Sequence, residues 1–212
     1  MVRFILVRHG YSQFNKENRF TGQLDVHLDE VGLWQAERVG EYLFSHDRID
    51  AIYSSDLSRT VATAEPTARL FGLPIQKRKD LREMDVGRWS GCYFERVKVD
   101  FPEEYAIYRS NRALFTYPDG ESYVDVQKRA EKALVEIAGK HDGETVMIAT
   151  HGGVLRSSLC VWSGHDIADL LDIPPVANAS ISVVEYENGV FTLKEIGYTG
   201  HLEDRLGGTS LE

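Results

Sequence analysis

Two short apolar runs constrain the fold of this chain more than any other feature. Residues 3–7 (RFILV), in which positions 4–7 are all apolar, and 145–150 (TVMIAT) show no alternation of polar and apolar side chains, as expected of strands covered on both faces. Segments with helical periodicity lie between such runs, and this order favours a largely parallel sheet with helices on both sides. We therefore expect an α/β fold of three layers, α/β/α, around a mostly parallel central sheet.

Shorter strands and four helices complete the expected fold. The strands lie at 51–55, at 74–78 and, as a hairpin that turns at Asn188-Gly189, within 179–198. The helices lie at 29–44, 58–71, 122–138 and 151–162. The hairpin adds an antiparallel strand near the C-terminus.

Two of these helices carry specific expectations. The first has Asp29 as its N-cap and a face that we expect to be buried, formed by Leu33, Ala36, Gly40, Leu43 and Phe44. The second contains Pro66, which should kink it because proline lacks a backbone donor.

The segment from about 80 to 120 has a different character. It is aromatic and charged, contains Pro102 and Pro118, and has no clear strand. We expect a partly helical flap inserted into a single domain that spans residues 1–212. Its aromatic side chains could line a pocket or, more commonly for such groups, pack against the core: Trp89, Tyr93, Phe94, Phe101, Tyr105, Tyr108 and Phe115.

Composition excludes several functions. A net charge of −9 argues against a broad nucleic-acid surface, which needs a basic face. No apolar stretch approaches the ~20 residues of a membrane helix, and the N-terminus lacks a signal-peptide pattern. Cys92 and Cys160 have neither disulfide-framework nor CxxC spacing, so we expect free thiols in a cytoplasmic protein. We base no prediction on the closing residues 208–212 (GTSLE).

Both apolar runs end in a histidine followed by glycine. The first continues into Arg8, His9 and Gly10, and the second into His151, Gly152 and Gly153. Ligands of open parallel sheets bind beyond the carboxyl ends of the strands, so the two histidines meet if their strands are neighbours. The helix that begins near Gly153 would direct free N–H groups at an anion. One strand-end histidine is usually polar surface, but the repeat favours a shared site.

Arg59 adds a further positive charge. It lies in the first turn of the helix at 58–71, where the helix dipole favours negative charge, unless the arginine itself holds an anion. A solvated arginine is the alternative. Together with Arg8 and the two histidines it would form a phosphate cradle, in which an imidazole can attack phosphorus. Neither a Walker-type glycine loop nor an acidic Mg²⁺ cluster is evident, so we expect no cofactor or metal.

Hydrolysis also needs a proton for the leaving oxygen. The candidate is Glu83, in the turn-rich stretch 81–91 (LREMDVGRWSG). Asp85 competes for this role, and a solvated glutamate beside Arg82 is the ordinary alternative.

Six ordered motifs resemble those of the histidine phosphatase superfamily, which is also called phosphoglycerate-mutase-like. They are VRHGYSQFN (7–15), LDEVGLWQA (28–36), SSDLSRTVATA (54–64), LREMDVGRWSG (81–91), YPDGESYVDVQKR (117–129) and IATHGGVLR (148–156). In the second motif, Asp29 replaces the usual hydroxyl residue. The resemblance covers nearly the whole chain.

The resemblance implies a role for each matching residue. His9 would be the nucleophile that becomes phosphohistidine, while Arg8, Arg59 and His151 would hold the phosphoryl oxygens. Glu83 would protonate the leaving alcohol and then deprotonate water. The family's phosphate and substrate contacts map onto Asn15, Thr21, Gly22, Gln23 and Gly152, and a tail histidine near the pocket mouth maps onto His201. The other histidines fit no motif and are expected to be solvated: His27, His46, His141 and His165.

By this resemblance the chain is a metal-independent phosphatase of a small organic phosphomonoester. A cofactor-dependent phosphoglycerate mutase is the first alternative. The Arg-His-Tyr that follows the acid in mutases is missing from LREMDVGRW, and Arg109 and Arg112 are not the adjacent pair that mutases use for the substrate carboxylate. A phospho-ligand-binding module without turnover, and a metal site on His9 and His151 that lacks a third ligand, are the others. The identity of the substrate and the oligomeric state stay open.

Overall fold

Six strands within the described residues form one sheet. The computed structural model describes residues 1–205, so GTSLE (208–212) lies outside it. The strands are β1 (Val2–Arg8), β2 (Ala51–Ser55), β3 (Ile75–Arg78), β4 (Thr145–Thr150), β5 (Ile181–Glu187) and β6 (Val190–Tyr198). Their spatial order is β3-β2-β4-β1-β5-β6. Strands β3, β2, β4 and β1 are parallel to one another, and β5 runs antiparallel to β1 and to β6.

Seven α-helices accompany the sheet in the same part of the chain. They are α1 (Gln13–Lys16), α2 (Glu30–His46), α3 (Ser58–Phe71), α4 (Phe94–Asp100), α5 (Pro102–Ser110), α6 (Tyr123–Ala138) and α7 (Gly152–Trp162). Short 3₁₀ turns lie at Lys79–Leu81, Gly87–Trp89, Ile167–Asp172 and Gly200–Arg205. None of the helices described is long and apolar enough to cross a membrane.

The central strands are buried on both faces because their side chains alternate between two helical layers. In β1, Phe4 and Leu6 join a core with residues of α6 and α7, whereas Ile5 and Val7 join one with residues of α2 and α3. The expected three-layer α/β fold is confirmed. The hairpin turn at Asn188-Gly189 is present as well, with positive φ at both residues (51° and 84°).

The expected buried face of α2 is wrong at two positions. Leu33 and Phe44 are 51% and 55% exposed. The buried face instead comprises Gly32, Gln35, Ala36, Val39, Gly40 and Leu43. Glycines set this rotation, because a Cβ on Gly32 would collide with the Tyr11 carbonyl and one on Gly40 would crowd Pro66 of α3. Asp29 caps the helix as expected, accepting from the Gly32 N–H at 2.9 Å.

The segment 80–120 contains α4 and α5 and is partly helical, as expected. Its aromatic side chains mainly pack: Trp89, Tyr108 and Phe115 are buried in one cluster, and Phe101 and Tyr105 lie against it. Tyr93 and Phe94 stay exposed. The helix α3 continues through Pro66 as one element, and the kink stays a prediction.

One of the histidines expected to be solvated is not. The side chain of His141 is only 13% exposed, with Nδ1 2.6 Å from Glu144 Oε2 and Nε2 2.9 Å from the Tyr53 hydroxyl. These two partners compensate for its loss of water. His27, His46 and His165 are exposed, and both cysteines are free thiols.

Candidate active site

The two strand-end histidines lie side by side because β1 and β4 are parallel neighbours. Arg8 is opposite Thr150 in the ladder, so His9 and His151 leave the sheet at the same level. Their ring centroids are 5.2 Å apart. His9 is 5% exposed and His151 is fully buried.

The hydrogen bonds of His9 determine which ring nitrogen is free. Nδ1 lies 2.8 Å from the Gly10 carbonyl oxygen, which can only accept, so Nδ1 carries the proton. The lone pair is then on Nε2. Burial, and then the charges of Arg59 and Arg8, lower the pKa of His9 well below its ordinary value, so the ring is neutral. Asn178 fixes this turn, with its Nδ2 donating to the His9 carbonyl at 3.0 Å.

His151 occupies the N-cap position of α7. Its Nε2 is 2.9 Å from the hydroxyl of Ser55 at the end of β2. Its Nδ1 is buried and has no hydrogen-bond partner within the described residues. Burial, and then Arg59, lower the pKa of His151 well below its ordinary value. A neutral ring that accepts from the Ser55 hydroxyl would carry its proton on Nδ1.

Arg59, which is buried, and Arg8, which is partly buried, are both held by backbone carbonyls. Arg59 donates to Leu24 O at 2.8 Å and to Gly22 O at 2.9 Å, and Arg8 donates to Val176 O at 2.6 Å. The Nε of each has no partner among the residues described. Burial lowers the pKa of Arg59 to about 10, which leaves it charged at neutral pH. Arg59, in the first turn of α3, is fully buried, so the alternative of a solvated surface arginine is wrong.

Glu83 faces this group across the N-terminus of α7. Its carboxylate accepts from the N–H of Gly153 at 3.0 Å and of Met84 at 2.8 Å. The free N–H expected to face a bound anion is thus occupied by the protein's own carboxylate. A Cβ on Gly153 would collide with Glu83 Oε1, so glycine is needed for this approach. Asp85 points elsewhere and accepts from the Gly87 N–H at 2.9 Å, which favours Glu83 as the acid.

Arg129 of α6 holds the backbone on which Glu83 sits. It donates to the carbonyls of residues 80, 82 and 83 at 3.0, 2.7 and 2.9 Å. Two further bonds to the Glu121 carboxylate, at 2.7 and 2.8 Å, orient its guanidinium. Gln23 also donates to the Glu83 carbonyl at 3.1 Å. Gln23 therefore helps to hold the loop that carries Glu83.

A cavity of about 200 Å³ joins these groups. The sequence-predicted residues that line it are Arg8, His9, Asn15, Thr21, Gly22, Arg59, Glu83 and Gly152. His151 lies beneath, against the His9 ring. His201 is wrong as a pocket residue: it is buried beside Tyr42 and Tyr198, with Nε2 3.0 Å from Ala179 O.

Several residues of the site were not predicted from the sequence. Ser55 and Arg129 lie inside recognised motifs, so their positions could have been considered, but their contacts depend on the fold. Asn178 lies in no motif. The cavity is also lined by Arg19, Arg112 and Arg156. Within residues 1–205, no group of three or more His, Cys, Asp or Glu side chains is arranged to hold a metal ion.

Comparison with known proteins places this geometry in a family. A family model described as the histidine phosphatase superfamily (branch 1) matches residues 4–199. Phosphoglycerate mutase-like protein 4 of Arabidopsis thaliana is 34% identical over 206 residues, covering 96% of this chain and 88% of that protein. Phosphoserine phosphatase 1 of Hydrogenobacter thermophilus is 33% identical over 202 residues, covering 95% of each. A solved mycobacterial glucosyl-3-phosphoglycerate phosphatase superposes with a TM-score of 0.84 at 27% identity, covering 93% of this chain and 99% of that one.

Proposed function

Because the chain belongs to the histidine phosphatase superfamily, we propose that it hydrolyses a small phosphomonoester through a phosphohistidine formed on His9. The hydrogen bond from His9 Nδ1 to the Gly10 carbonyl carries this proposal. It leaves the Nε2 lone pair free in a cavity lined by Arg8 and Arg59. A neutral, oriented imidazole beside two guanidiniums suits attack on phosphorus.

In the first step, His9 Nε2 attacks phosphorus and the bond from phosphorus to the ester oxygen breaks. Glu83, protonated for this step, gives its proton to the leaving oxygen, which departs as an alcohol. Arg8 and Arg59 balance the negative charge spread over the phosphoryl oxygens. Their buried Nε atoms are donors without a protein partner in the described range. His151 Nδ1 adds a third such donor.

In the second step, water attacks the phosphohistidine and the bond from phosphorus to Nε2 breaks. The Glu83 carboxylate takes a proton from the water, so the products are inorganic phosphate and the starting enzyme. The Gly153 N–H, which binds Glu83 in the structure, would stabilise the ionised carboxylate between the two steps.

The names of relatives indicate which compounds to assay first. One relative is named a phosphoserine phosphatase and a similar structure is a glucosyl-3-phosphoglycerate phosphatase. O-phosphoserine and phosphoglycerate esters therefore head the panel. The small cavity suits such compounds better than drug-sized ligands, whose pockets measure about 300–1,000 Å³.

A trapping experiment tests the intermediate. The protein is mixed with a ³²P-labelled phosphomonoester in the presence of EDTA, quenched in alkali and resolved on a gel, since phosphohistidine survives alkali and is lost in acid. We expect label on the wild type and on His165→Ala, an exposed histidine that serves as the control, and none on His9→Ala. Turnover by His9→Ala near the wild-type rate would refute the role of His9.

A second assay separates hydrolysis from phosphoryl transfer between hydroxyls. A relative is named phosphoglycerate mutase-like, so the protein is incubated with 3-phosphoglycerate and bisphosphoglycerate. We expect release of inorganic phosphate. Rapid interconversion of phosphoglycerates with little free phosphate would instead establish a mutase.

A further inference from the structure

The loop 176–180 holds the turn that carries His9. The N–H of Ala179 donates to the carbonyls of Arg8 and His9, at 3.1 and 3.2 Å. The carbonyl of Ser180 accepts from the N–H of Arg8 at 3.2 Å. The loop therefore fixes the backbone of the last residue of β1 and of the proposed nucleophile that follows it.

Asn178 connects this loop to the hydrogen-bond acceptor of the His9 ring. Its Nδ2 donates to the His9 carbonyl at 3.0 Å and to the Gly10 carbonyl at 3.3 Å. The Gly10 carbonyl is also the acceptor for His9 Nδ1. A displacement of the loop should therefore move the carbonyl that determines which ring nitrogen carries the proton.

Ala179 has an unfavourable backbone conformation within the loop. Its φ is +56°, in the left-handed region that favours glycine. Asparagine and aspartate tolerate this region, and they are the other non-glycine residues with positive φ in the described chain: Asn18, Asp119 and Asn188. An alanine held in this way persists only where its surroundings over-determine it, and such strain is concentrated at functional sites. Two of the contacts that hold Ala179 are its bonds to Arg8 and His9.

His201 supplies a third contact from outside the loop. Its Nε2 lies 3.0 Å from the Ala179 carbonyl oxygen, which can only accept, so Nε2 carries the proton. The residue is 7% exposed, and its Nδ1 is buried without a hydrogen-bond partner in the described range. Burial lowers the pKa of His201 to about 4, so the ring is a neutral donor at neutral pH. The rings of Tyr42 and Tyr198, with centroids 5.5 and 5.7 Å away, confine it.

We propose that His201 is a positioning residue for the nucleophile and acts on His9 through Ala179. This inference rests on the proposed function, because it concerns the ring that would attack phosphorus. Without the bond from His201, Ala179 loses one of the three hydrogen bonds that hold its left-handed conformation. The bonds from the loop to the His9 turn should then lengthen, and the attacking Nε2 should lose its alignment with phosphorus.

The rate of phosphohistidine formation, measured by rapid quench with a labelled phosphomonoester, tests the proposal. His201→Leu removes the donor and should slow this step by about tenfold or more. His201→Gln retains an amide N–H near the position of the imidazole Nε2 and should restore most of the rate. His141→Leu is the control, because the ring of His141 is also bonded to protein partners, Glu144 and Tyr53, that lie outside the cavity lining. It should keep the wild-type rate.

NMR spectra of the free protein separate this proposal from the proposed function. The Nδ1–H tautomer of His9 has ring ¹⁵N shifts distinct from those of the Nε2–H tautomer, and their measurement needs no turnover. We expect His201→Leu to shift these signals towards a mixture of tautomers, and His201→Gln to keep the wild-type pattern. If the wild type forms no phosphohistidine but the signals shift, the proposed function fails and the positioning role stands.

Two results would overturn the role of His201. One is a wild-type pattern of His9 ring signals in His201→Leu. The other is an equal loss of rate in His201→Leu and His201→Gln, since the glutamine retains the donor. Thermal melts establish that each variant is folded. If His201→Leu is unfolded, His201→Asn takes its place, because its shorter amide stops short of the Ala179 carbonyl.

Discussion

Replacement of Arg129 by methionine should slow the hydrolysis of alkyl phosphates far more than that of p-nitrophenyl phosphate. Arg129 touches no group that would contact the substrate. Its three bonds to the carbonyls of residues 80, 82 and 83 hold the loop that presents Glu83. Without them the carboxyl should lose its alignment with the leaving oxygen, and an alkoxide leaves only when protonated.

The size of the effect follows from this network. Buried hydrogen bonds to a charged group contribute about 1.5–3 kcal/mol each, and exposed ion pairs about 0.2–1 kcal/mol. Arg129 and Glu121 are 21% and 22% exposed, so their network lies between these limits. We expect the free energy of unfolding to fall by about 2–3 kcal/mol, slightly less than for a fully buried pair. A shift of the carboxyl by about 1 Å should cost about 100-fold in kcat for an alkyl phosphate.

The assay compares two leaving groups in one variant. p-Nitrophenolate leaves without protonation, so its release should slow by less than about fivefold while alkyl phosphate hydrolysis slows about 100-fold. Arg3→Met is the control, because it breaks the 2.6 Å ion pair with Asp47 away from the cavity. A purely structural role for Arg129 would depress both reactions equally, and that result would refute the reasoning.

Two further predictions concern Glu83 and His9, the proposed acid and the proposed nucleophile. Gly153→Ala should displace the Glu83 carboxylate, because the added Cβ would collide with Oε1. The rate of alkyl phosphate hydrolysis should then fall by about tenfold or more. Gly139→Ala is the control: its added Cβ would have no contact below 3.6 Å, so it should retain the wild-type rate. His9 should remain neutral in the free protein as the pH falls through 6.5, since burial, Arg59 and Arg8 lower its pKa. An NMR titration of its ring nitrogens that shows protonation near pH 6.5 would contradict this.

Strands buried on both faces are the elements that the sequence predicts best. The prediction at 145–150 coincides with β4, because an apolar run has few alternative placements, and the shorter prediction at 51–55 coincides with β2. The face of α2 was less predictable. A hydrophobic pattern gives Leu33 a core position, but close backbone contacts at Gly32 and Gly40 rotate the helix away from it.

Site residues divide according to how local their signal is. Those at the ends of strands, such as His9 and His151, lie in motifs with a local pattern, because each histidine follows an apolar strand and precedes a glycine. Others depend on contacts between distant segments: Arg129 donates to the carbonyl of Glu83, 46 residues earlier in the chain, and Asn178 donates to the carbonyl of His9 across 169 residues. No local pattern indicates such contacts, because they exist only once the sheet has formed.

Strand register, rather than any one motif, assembles the site. Because β4 lies between β1 and β2, its end is flanked by Arg8, opposite Thr150, and by Ser54, opposite Ala149. The next residues, His9, His151 and Ser55, are thereby brought together, and the ring of His151 meets the Ser55 hydroxyl at 2.9 Å. A shift of one residue along β4 would turn every side chain to the opposite face. A shift in one direction would place polar Thr145 where Val146 now packs, and a shift in the other would place Thr150 where Ala149 now packs, away from the Leu81 carbonyl to which it donates at 2.9 Å. The two apolar helical layers that penalise such a shift therefore also hold the imidazoles 5.2 Å apart.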